Sequence, residues 1–452
     1  MGVGSLPSNS KGMNNRTYIF RFWEQTLVAV LAVVVFCFWY FGYPFIPLVR
    51  EMSQLFLWNC DYLTERLVVP GGAAQYLGEG VAQFFLNPFN GALAYAILFV
   101  IAQQLASRLL RQFFPSIKNI VRFLLSLVPP AILWYLAMLP HIPLTPTMAA
   151  ILVMVVMCAV MSINKRGERR EEREEKKVQS SKFKVQREER KRLIAVCLLI
   201  PVMYWLTGPM AVLLILCCVR WIPLTATLFA ACLIGSSYLT SYPLRQVVRG
   251  IDYSWSGSRN MGTYEEMECD MLMRQQKWAE ILQKFQKPES PAVRSASMYA
   301  LHRTGQMSKQ EFLSRVVVPE EIWGSEPSVF GIKGVQFVVY FGSLSSAFIV
   351  SDLASMLYWP NISQRAAFEA MEYIPNYNKS GRALKNLIEV CIITGQYPLA
   401  RKYLSILDET TLYRSWAKKM RTLVDNPRLI EKNSFMQKSR ESYENTEDIF
   451  FI

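Results

Sequence analysis

The sequence predicts an all-α fold: a polytopic transmembrane helix bundle of six or seven spans, followed by an α-helical soluble domain. Three observations predict it. Hydrophobic residues make up 52% of the 452 and gather before about residue 241, in long runs almost free of charge. A densely charged segment interrupts those runs at 164–192. Beyond residue 250 the pattern changes to helices with polar faces, joined by short turns.

The charged segment 164–192 sets the orientation of the helices around it. It contains 13 Lys/Arg, 7 Asp/Glu and almost no apolar residue, so it cannot cross a bilayer. Its excess of Lys/Arg marks the cytoplasmic side. We interpret it as a solvated, salt-bridged cytoplasmic loop, with a docking arm for anionic lipid headgroups as the alternative.

Four spans are predicted in residues 22–163, after a cytoplasmic tail at 1–21. An uncleaved first span is favoured over a signal peptide because the apolar run is too long and no small-residue cleavage site follows it. Pro129 and Pro130 predict a kink in the third span. The predicted boundaries are Phe22–Phe41, Phe89–Ala106, Ile120–Leu139 and Pro146–Ile163.

Residues 42–90 are predicted to form an outer loop between the first two spans. Its stretch Gly72–Leu86 is amphipathic, which favours a position at the membrane interface or against the bundle.

The number of crossings in residues 193–241 stays open between two and three. The break at Gly208-Pro209 and the anchor at Arg220-Trp221 favour three, which gives seven in total and a periplasmic C-terminal domain. The sequence IPLT begins at residue 142 and again at residue 222. This repetition favours six crossings in total, which gives a cytoplasmic C-terminal domain. A span over Pro209–Ile222 has about 14 residues and would be short for an α-helix, about 21 Å. We favour seven crossings slightly.

Residues 250–425 resemble degenerate tetratricopeptide-type helical hairpins. The best unit is Ser380–Leu407, in which Gly395 permits a tight turn and Ala400 takes the small packing position. Long helices are predicted at Tyr264–Phe285 and Phe337–Leu357, and residues 426–452 are predicted to be a loose polar tail.

The chain as a whole resembles a family of multi-pass membrane proteins from bacteria of the Bacteroides group. The resemblance is carried by PGGAAQYLGEGVAQFF, QKWAEIL, AFEAMEYIPNYNKSGRALKNLIE and ITGQYPLARKYLSIL. It implies this architecture and an inner-membrane location, and it implies no catalytic residue.

No catalytic motif is present, and the acidic residues of the outer loop are the only candidates for chemistry. Asp61 and Glu65 are weak catalytic candidates because they share one helix face at i, i+4, with Glu51 nearby. Membrane glycosyltransferases also carry acidic residues in their first outer loop. The alternative is that these carboxylates keep an interfacial helix solvated, which the adjacent Arg66 favours.

Composition predicts neither cofactor, metal nor nucleic acid. Nine cysteines lie without a C-x-x-C pattern, and there are only two histidines. Residues 242–452 carry 26 Lys/Arg and 23 Asp/Glu, +3 of the total +14, so the basic excess belongs to membrane-flanking loops.

The favoured hypothesis is a membrane-anchored protein that presents its helical repeats to a protein or peptide partner, with membrane lipid around the spans. An enzyme of envelope glycan or lipid modification is the alternative, and a transporter is third.

Overall fold

The computed structural model describes residues 10–175, 198–239, 260–315, 328–332, 335–339, 342–374 and 379–445. The predicted charged segment is therefore described only up to Glu175, as the end of a helix.

Within these described ranges, five helical segments are long and apolar enough to cross a membrane, so the protein is membrane-associated. Four of them coincide with the spans predicted before residue 164. The five segments are Phe22–Gly42, Pro88–Phe113, Asn119–Met138, Thr145–Ser162 and Leu198–Ile215. The helices that carry the first four are α1 (Ser10–Cys37, extended by a π-helical turn at Phe38–Gly42), α5 (Pro88–Phe113), α6 (Asn119–Ser126), α7 (Val128–Met138) and α8 (Thr145–Glu175). The fifth segment is not one continuous helix: it includes α9 (198–207) and the first residues of a 3₁₀ segment that begins at Gly208.

Contacts between α1 and α5 define the two ends of the bundle. Ser107 donates to Glu24 at 3.1 Å at one end, and the rings of Trp39 and Tyr95 stack at 4.4 Å towards the other. We call the first the basic end because Arg108, Arg111 and Lys118 lie at that end of α5 and in the residues that follow it. The second is the loop end, which carries residues 43–87 and 139–144.

The third predicted span bends where its prolines lie. Helix α6 ends at Ser126 and α7 begins at Val128, with Leu127 between them. Pro129 and Pro130 occupy the first turn of α7, where a missing N–H removes no helical hydrogen bond.

The predicted outer loop is a compact helical layer. It contains α2 (Phe45–Met52), α3 (Cys60–Leu67), α4 (Gly72–Ala82) and a 3₁₀ turn at Gln83–Leu86. Helix α4 packs against the start of α8, which agrees with packing on the bundle rather than lying free at the interface.

The chain turns sharply at Gly208, at the loop end. Its φ of +64° is left-handed, and it lies against Gly71, whose N–H donates to the Trp205 carbonyl at 2.8 Å. A 3₁₀ segment then runs along α8 from Gly208 to Trp221, and α10 (Ile222–Leu239) follows. Tyr204 and Ser236 share a hydrogen bond of 2.6 Å, so α9 and α10 end at the same level.

The helical domain is a succession of helices that pack mostly on their neighbours in sequence. Buried apolar residues from the bundle and from this domain form one continuous core. The helices are α11 (Tyr264–Arg274), α12 (Trp278–Lys284), α13 (Pro291–Arg303), α14 (Lys309–Arg315), α15 (Leu344–Met356), α16 (Pro360–Glu372), α17 (Gly381–Ile393), α18 (Tyr397–Asp408), α19 (Arg414–Asp425) and α20 (Ser434–Asn445).

Three sequence predictions in this domain need correction. The helix predicted at Tyr264–Phe285 is divided by a turn with Gln276 at φ +55°. Phe337 lies in an antiparallel hairpin of β1 (Ser328–Ile332) and β2 (Val335–Val339), and the following helix begins only at Leu344. Within the predicted polar tail, a 3₁₀ turn at Pro427–Lys432 precedes α20.

Candidate functional site

Helix α2 lies at the junction between the bundle and the helical domain. All eight of its residues are buried, although two adjacent ones, Arg50 and Glu51, are charged. Adjacent side chains on a helix point in different directions. Here Arg50 contacts the bundle and Glu51 contacts the helical domain.

Arg50 binds the loop end of α7. Its Nε donates to the Ile142 carbonyl at 2.8 Å, and its Nη2 donates to the Leu139 carbonyl at 2.8 Å. Nη1 donates to the Tyr95 hydroxyl. Leu139 is the C-cap of α7, and carbonyls at a helix C-terminus carry partial negative charge, which stabilises the buried guanidinium. This cation therefore fixes α2 on the bundle.

Glu51 binds the other side of the junction. The Tyr413 hydroxyl donates to its Oε1 at 2.5 Å, whereas Oε2 has no hydrogen-bond partner among the described residues. Burial raises the pKa of Glu51 to about 7, although Tyr413 and the cations of Arg274, Arg382 and Lys385 act to lower it. The carboxyl is thus held between its neutral and charged forms near neutral pH.

Beside Glu51, three helices of the domain meet at Arg382. Its guanidinium forms a bidentate ion pair with Asp270, in which both N···O distances are 2.7 Å. It also donates to Asp352 at 2.7 Å. Burial alone would lower the pKa of Arg382, but the two carboxylates outweigh burial and raise it. The ring of Phe348 covers the guanidinium at 4.3 Å. We call Glu51, Tyr413, Arg382, Asp270 and Asp352 the junction cluster.

Gly381 permits this arrangement. A Cβ there would lie 2.3 Å from the Tyr413 ring, so any side chain would displace the tyrosine that binds Glu51. Ser380 precedes it and accepts a hydrogen bond from the Ala383 N–H at 3.2 Å, which fixes the start of α17.

An extended segment after α2 continues the contact with the domain. The Trp58 N–H donates to the Glu409 carbonyl at 2.9 Å, and its indole donates to Thr411 at 2.7 Å. Thr411 in turn donates to Gln83 at 2.6 Å. Leu55 packs among the apolar residues of α17. Residues 45–59 therefore lie against the domain much as a bound peptide would.

A second buried polar cluster holds α3 on α4. Glu79 accepts hydrogen bonds from Arg66 Nε and Gln75 Nε2, each at 3.0 Å, and from the Tyr62 hydroxyl. This arrangement explains why the two short helices of the loop form one layer.

The catalytic candidates Asp61 and Glu65 both lie on the exposed side of α3. The structure does not bring them to Glu51, which is buried against Tyr413. Glu65 lies 3.7 Å from Arg66. Their catalytic role stays a prediction, as does the glycan- or lipid-modifying activity.

A small polar cavity lies among α15, α16, α17 and α20. Its volume of about 10 Å³ has room for about one water molecule. Burial raises the pKa of Glu389, which lines it, to about 7. No group of three or more potential metal ligands occurs in the ranges that the structure describes.

Sequence reasoning noted Glu51 but missed its role, and it missed Arg382 and Tyr413 altogether. The only signal for Glu51 in the sequence was its own position as an acidic residue at the end of a short apolar helix. Its partner lies 362 positions away, a separation that no periodicity reveals.

Comparison with protein-family models matches residues 19–452 to a family of unknown function (DUF6057). The chain belongs to this family. No curated protein and no solved structure matches the chain. The matched range includes the bundle, α2 and the helical domain, so this family member has its junction cluster inside the region that defines the family.

Proposed function

We propose that this family member is a multi-pass inner-membrane protein that holds a tetratricopeptide-like domain on the periplasmic face of its bundle, for binding a protein or peptide in envelope assembly. The observation that carries the proposal is the burial of α2 between bundle and domain, with Arg50 and Glu51 bonded to opposite sides. These contacts favour a helical domain that is held in one position on the bundle over a domain that moves freely on a tether.

Seven crossings agree best with the contacts. A 3₁₀ helix rises about 2.0 Å per residue, so the 14 residues of Gly208–Trp221 reach about 28 Å, close to the ~30 Å of hydrocarbon. The objection that this segment is too short applies only to an α-helix. Three crossings after the charged segment then place α10's end, and the domain, on the side of the loop end.

The distribution of charge supports this sidedness. Arg108, Arg111 and Lys118 accompany the basic end, which favours the cytoplasm for that end. The domain contacts the loop end, where the Tyr264 hydroxyl donates to the Met138 carbonyl at 3.0 Å. An alkaline phosphatase fusion at Ile452 is therefore expected to be active in cells and one after Ser180 inactive. An inactive fusion at Ile452, with the fused protein intact, would refute the periplasmic assignment.

The partner-binding face is proposed to be the side turned away from α2. The helices nearest α2 already use Asp270, Asp352 and Arg382 within the junction cluster. On α16, Phe368 remains 40% exposed beside the surface ion pair of Arg365 and Glu369. Solenoid domains commonly bind peptides through such helix faces.

A photo-crosslinking residue at Phe368 tests the partner. In intact cells it is expected to give a discrete adduct with an envelope protein, which Arg365→Glu weakens. The matched position is the exposed Gln437 on α20. Adducts at both positions alike, or at neither while the protein is folded, would remove support for a specific partner on this face.

A further inference from the structure

A patch of apolar and basic side chains lies where the helical domain meets the outer-loop layer at the loop end of the bundle. Trp58 is 61% exposed, Phe84 48% and Leu412 37%, and the exposed Arg414 and Lys418 follow on α19. We call these five residues the interfacial patch. They are contiguous because Trp58 and Gln83, the neighbour of Phe84, both bond to Thr411.

The short connection between Phe84 and α5 limits how far the patch can lie from the apolar bundle. Phe84 precedes Pro88, the first residue of the apolar helix α5, by four residues. Four residues extend at most about 14 Å, and the 3₁₀ turn shortens that reach. The headgroup layer is about 5–8 Å thick on each side of the hydrocarbon. Phe84 therefore lies within about 14 Å of the first residue of α5, at the loop end of the bundle, which brings the patch within reach of the headgroup layer.

The charge of the patch favours an anionic surface. In this part of the described chain, ion pairs join Arg401 to Asp425 and Arg421 to Asp408. They leave Arg414 and Lys418 without a carboxylate, one helical turn apart on the same face of α19. Aromatic side chains such as Trp58 are enriched at the membrane–water interface.

We propose that the interfacial patch binds the headgroups of anionic phospholipids in the leaflet at the loop end, and so fixes α19 on the membrane surface. The exposed Asp61 and Glu65 on α3 repel the same headgroups, which places the contact along α19 instead. The inference rests on the bundle lying in a membrane. It depends neither on which leaflet faces the periplasm nor on the protein partner, so its failure leaves both of those proposals intact.

Hydrogen exchange of the full-length protein in nanodiscs tests this inference. Nanodiscs of phosphatidylcholine alone are compared with nanodiscs containing about one third phosphatidylglycerol. Amides of Arg414–Asp425 are expected to exchange roughly threefold or more slowly with phosphatidylglycerol present, because lipid contact suppresses local opening. High salt is expected to reduce the difference through screening.

Charge reversal supplies the control. Arg414→Glu with Lys418→Glu is expected to abolish the lipid difference and leave the thermal midpoint within about 2 °C, since surface changes cost little. Lys287→Glu with Lys309→Glu, at exposed sites in the turn before α13 and at the start of α14, is expected to preserve it. Equal exchange in both lipids, or an effect that survives in the Arg414/Lys418 variant, would overturn the proposal. Protection by a soluble polyanion but not by phosphatidylglycerol would also overturn it.

Discussion

At the scale of single residues, Arg50 and Glu51 connect one short helix to two different parts of the molecule. Arg50 is stabilised by carbonyl oxygens of the turn that follows α7, and Glu51 by one tyrosine hydroxyl and nearby cations. A buried carboxyl with one oxygen that has no partner among the described residues is costly to ionise. The junction is therefore sensitive to pH through Glu51.

Glu51→Gln is expected to reduce the pH dependence of stability. The pKa of Glu51 is about 7 when folded, above its ordinary 4.5, so its stabilising contribution is complete below about pH 4.5 and is lost as pH rises through 7. One such group changes the free energy of unfolding by at most about 1.4 kcal/mol per pH unit. The thermal midpoint measured from pH 5 to 8 in micelles should fall less steeply in the variant.

The control for that series is Glu65→Gln, on the exposed side of α3. With Glu65→Gln, the thermal midpoint should fall with pH as it does in the wild type. Glu389→Gln should make that fall less steep, because the pKa of Glu389 is also raised to about 7. A slope unchanged by Glu51→Gln would contradict the burial of this carboxyl.

Arg382→Met is expected to destabilise the protein by about 3–5 kcal/mol, because it leaves the carboxylates of Asp270 and Asp352 without their cation. Arg401→Met is the matched control, since its pair with Asp425 is exposed and contributes about 1 kcal/mol or less. Urea unfolding of the full chain in micelles measures both. Equal losses from the two variants would mean that the Arg382 pairs are solvated.

At the scale of elements, the sequence predicted apolar helices well and contacts between elements poorly. Long uncharged runs located the first four spans, and a double proline located the bend between α6 and α7. The hairpin at 328–339 was missed because Phe337 to Val339 join an apolar run that periodicity alone cannot assign to strand or helix. Helix α20 was missed because most of its surface is polar, although Met436 is buried.

Gly381→Ala is expected to cost about 1–3 kcal/mol through overpacking against the Tyr413 ring. Gly235→Ala, on α10, meets no atom within 4 Å and should be neutral or slightly stabilising. Thermal unfolding compares the two. A neutral Gly381→Ala would show that Tyr413 can move without loss, and would weaken its assigned contact with Glu51.

Arg440→Ala is expected to loosen α20 from α17, at a cost of about 1–2 kcal/mol. Its guanidinium donates to the carbonyls of Ile392 and Ile393 at 2.9 and 3.0 Å, where the helix dipole favours a cation. Limited proteolysis should then cut near residue 433 faster than in wild type. Cleavage there at the wild-type rate would instead indicate the loose tail that the sequence alone predicts.

At the scale of the whole molecule, the bundle and the helical domain share one core through α2. Composition predicted both units, but nothing in a single sequence predicted that they meet there, because the loop residues Met52 and Glu51 and their partners Arg382 and Tyr413 are more than 300 positions apart. The shared core implies that the membrane part is both an anchor and a support that holds the domain in place.

A double-mutant cycle across the junction tests this account most directly. Glu51→Ala, Tyr413→Phe and the double variant are compared by the free energy of unfolding of the full chain in micelles at one fixed pH. If α2 is docked on the helical domain, the two changes should couple by about 1–2 kcal/mol, as expected for a buried hydrogen bond to a carboxyl group. Effects that add to within about 0.3 kcal/mol would contradict that docking.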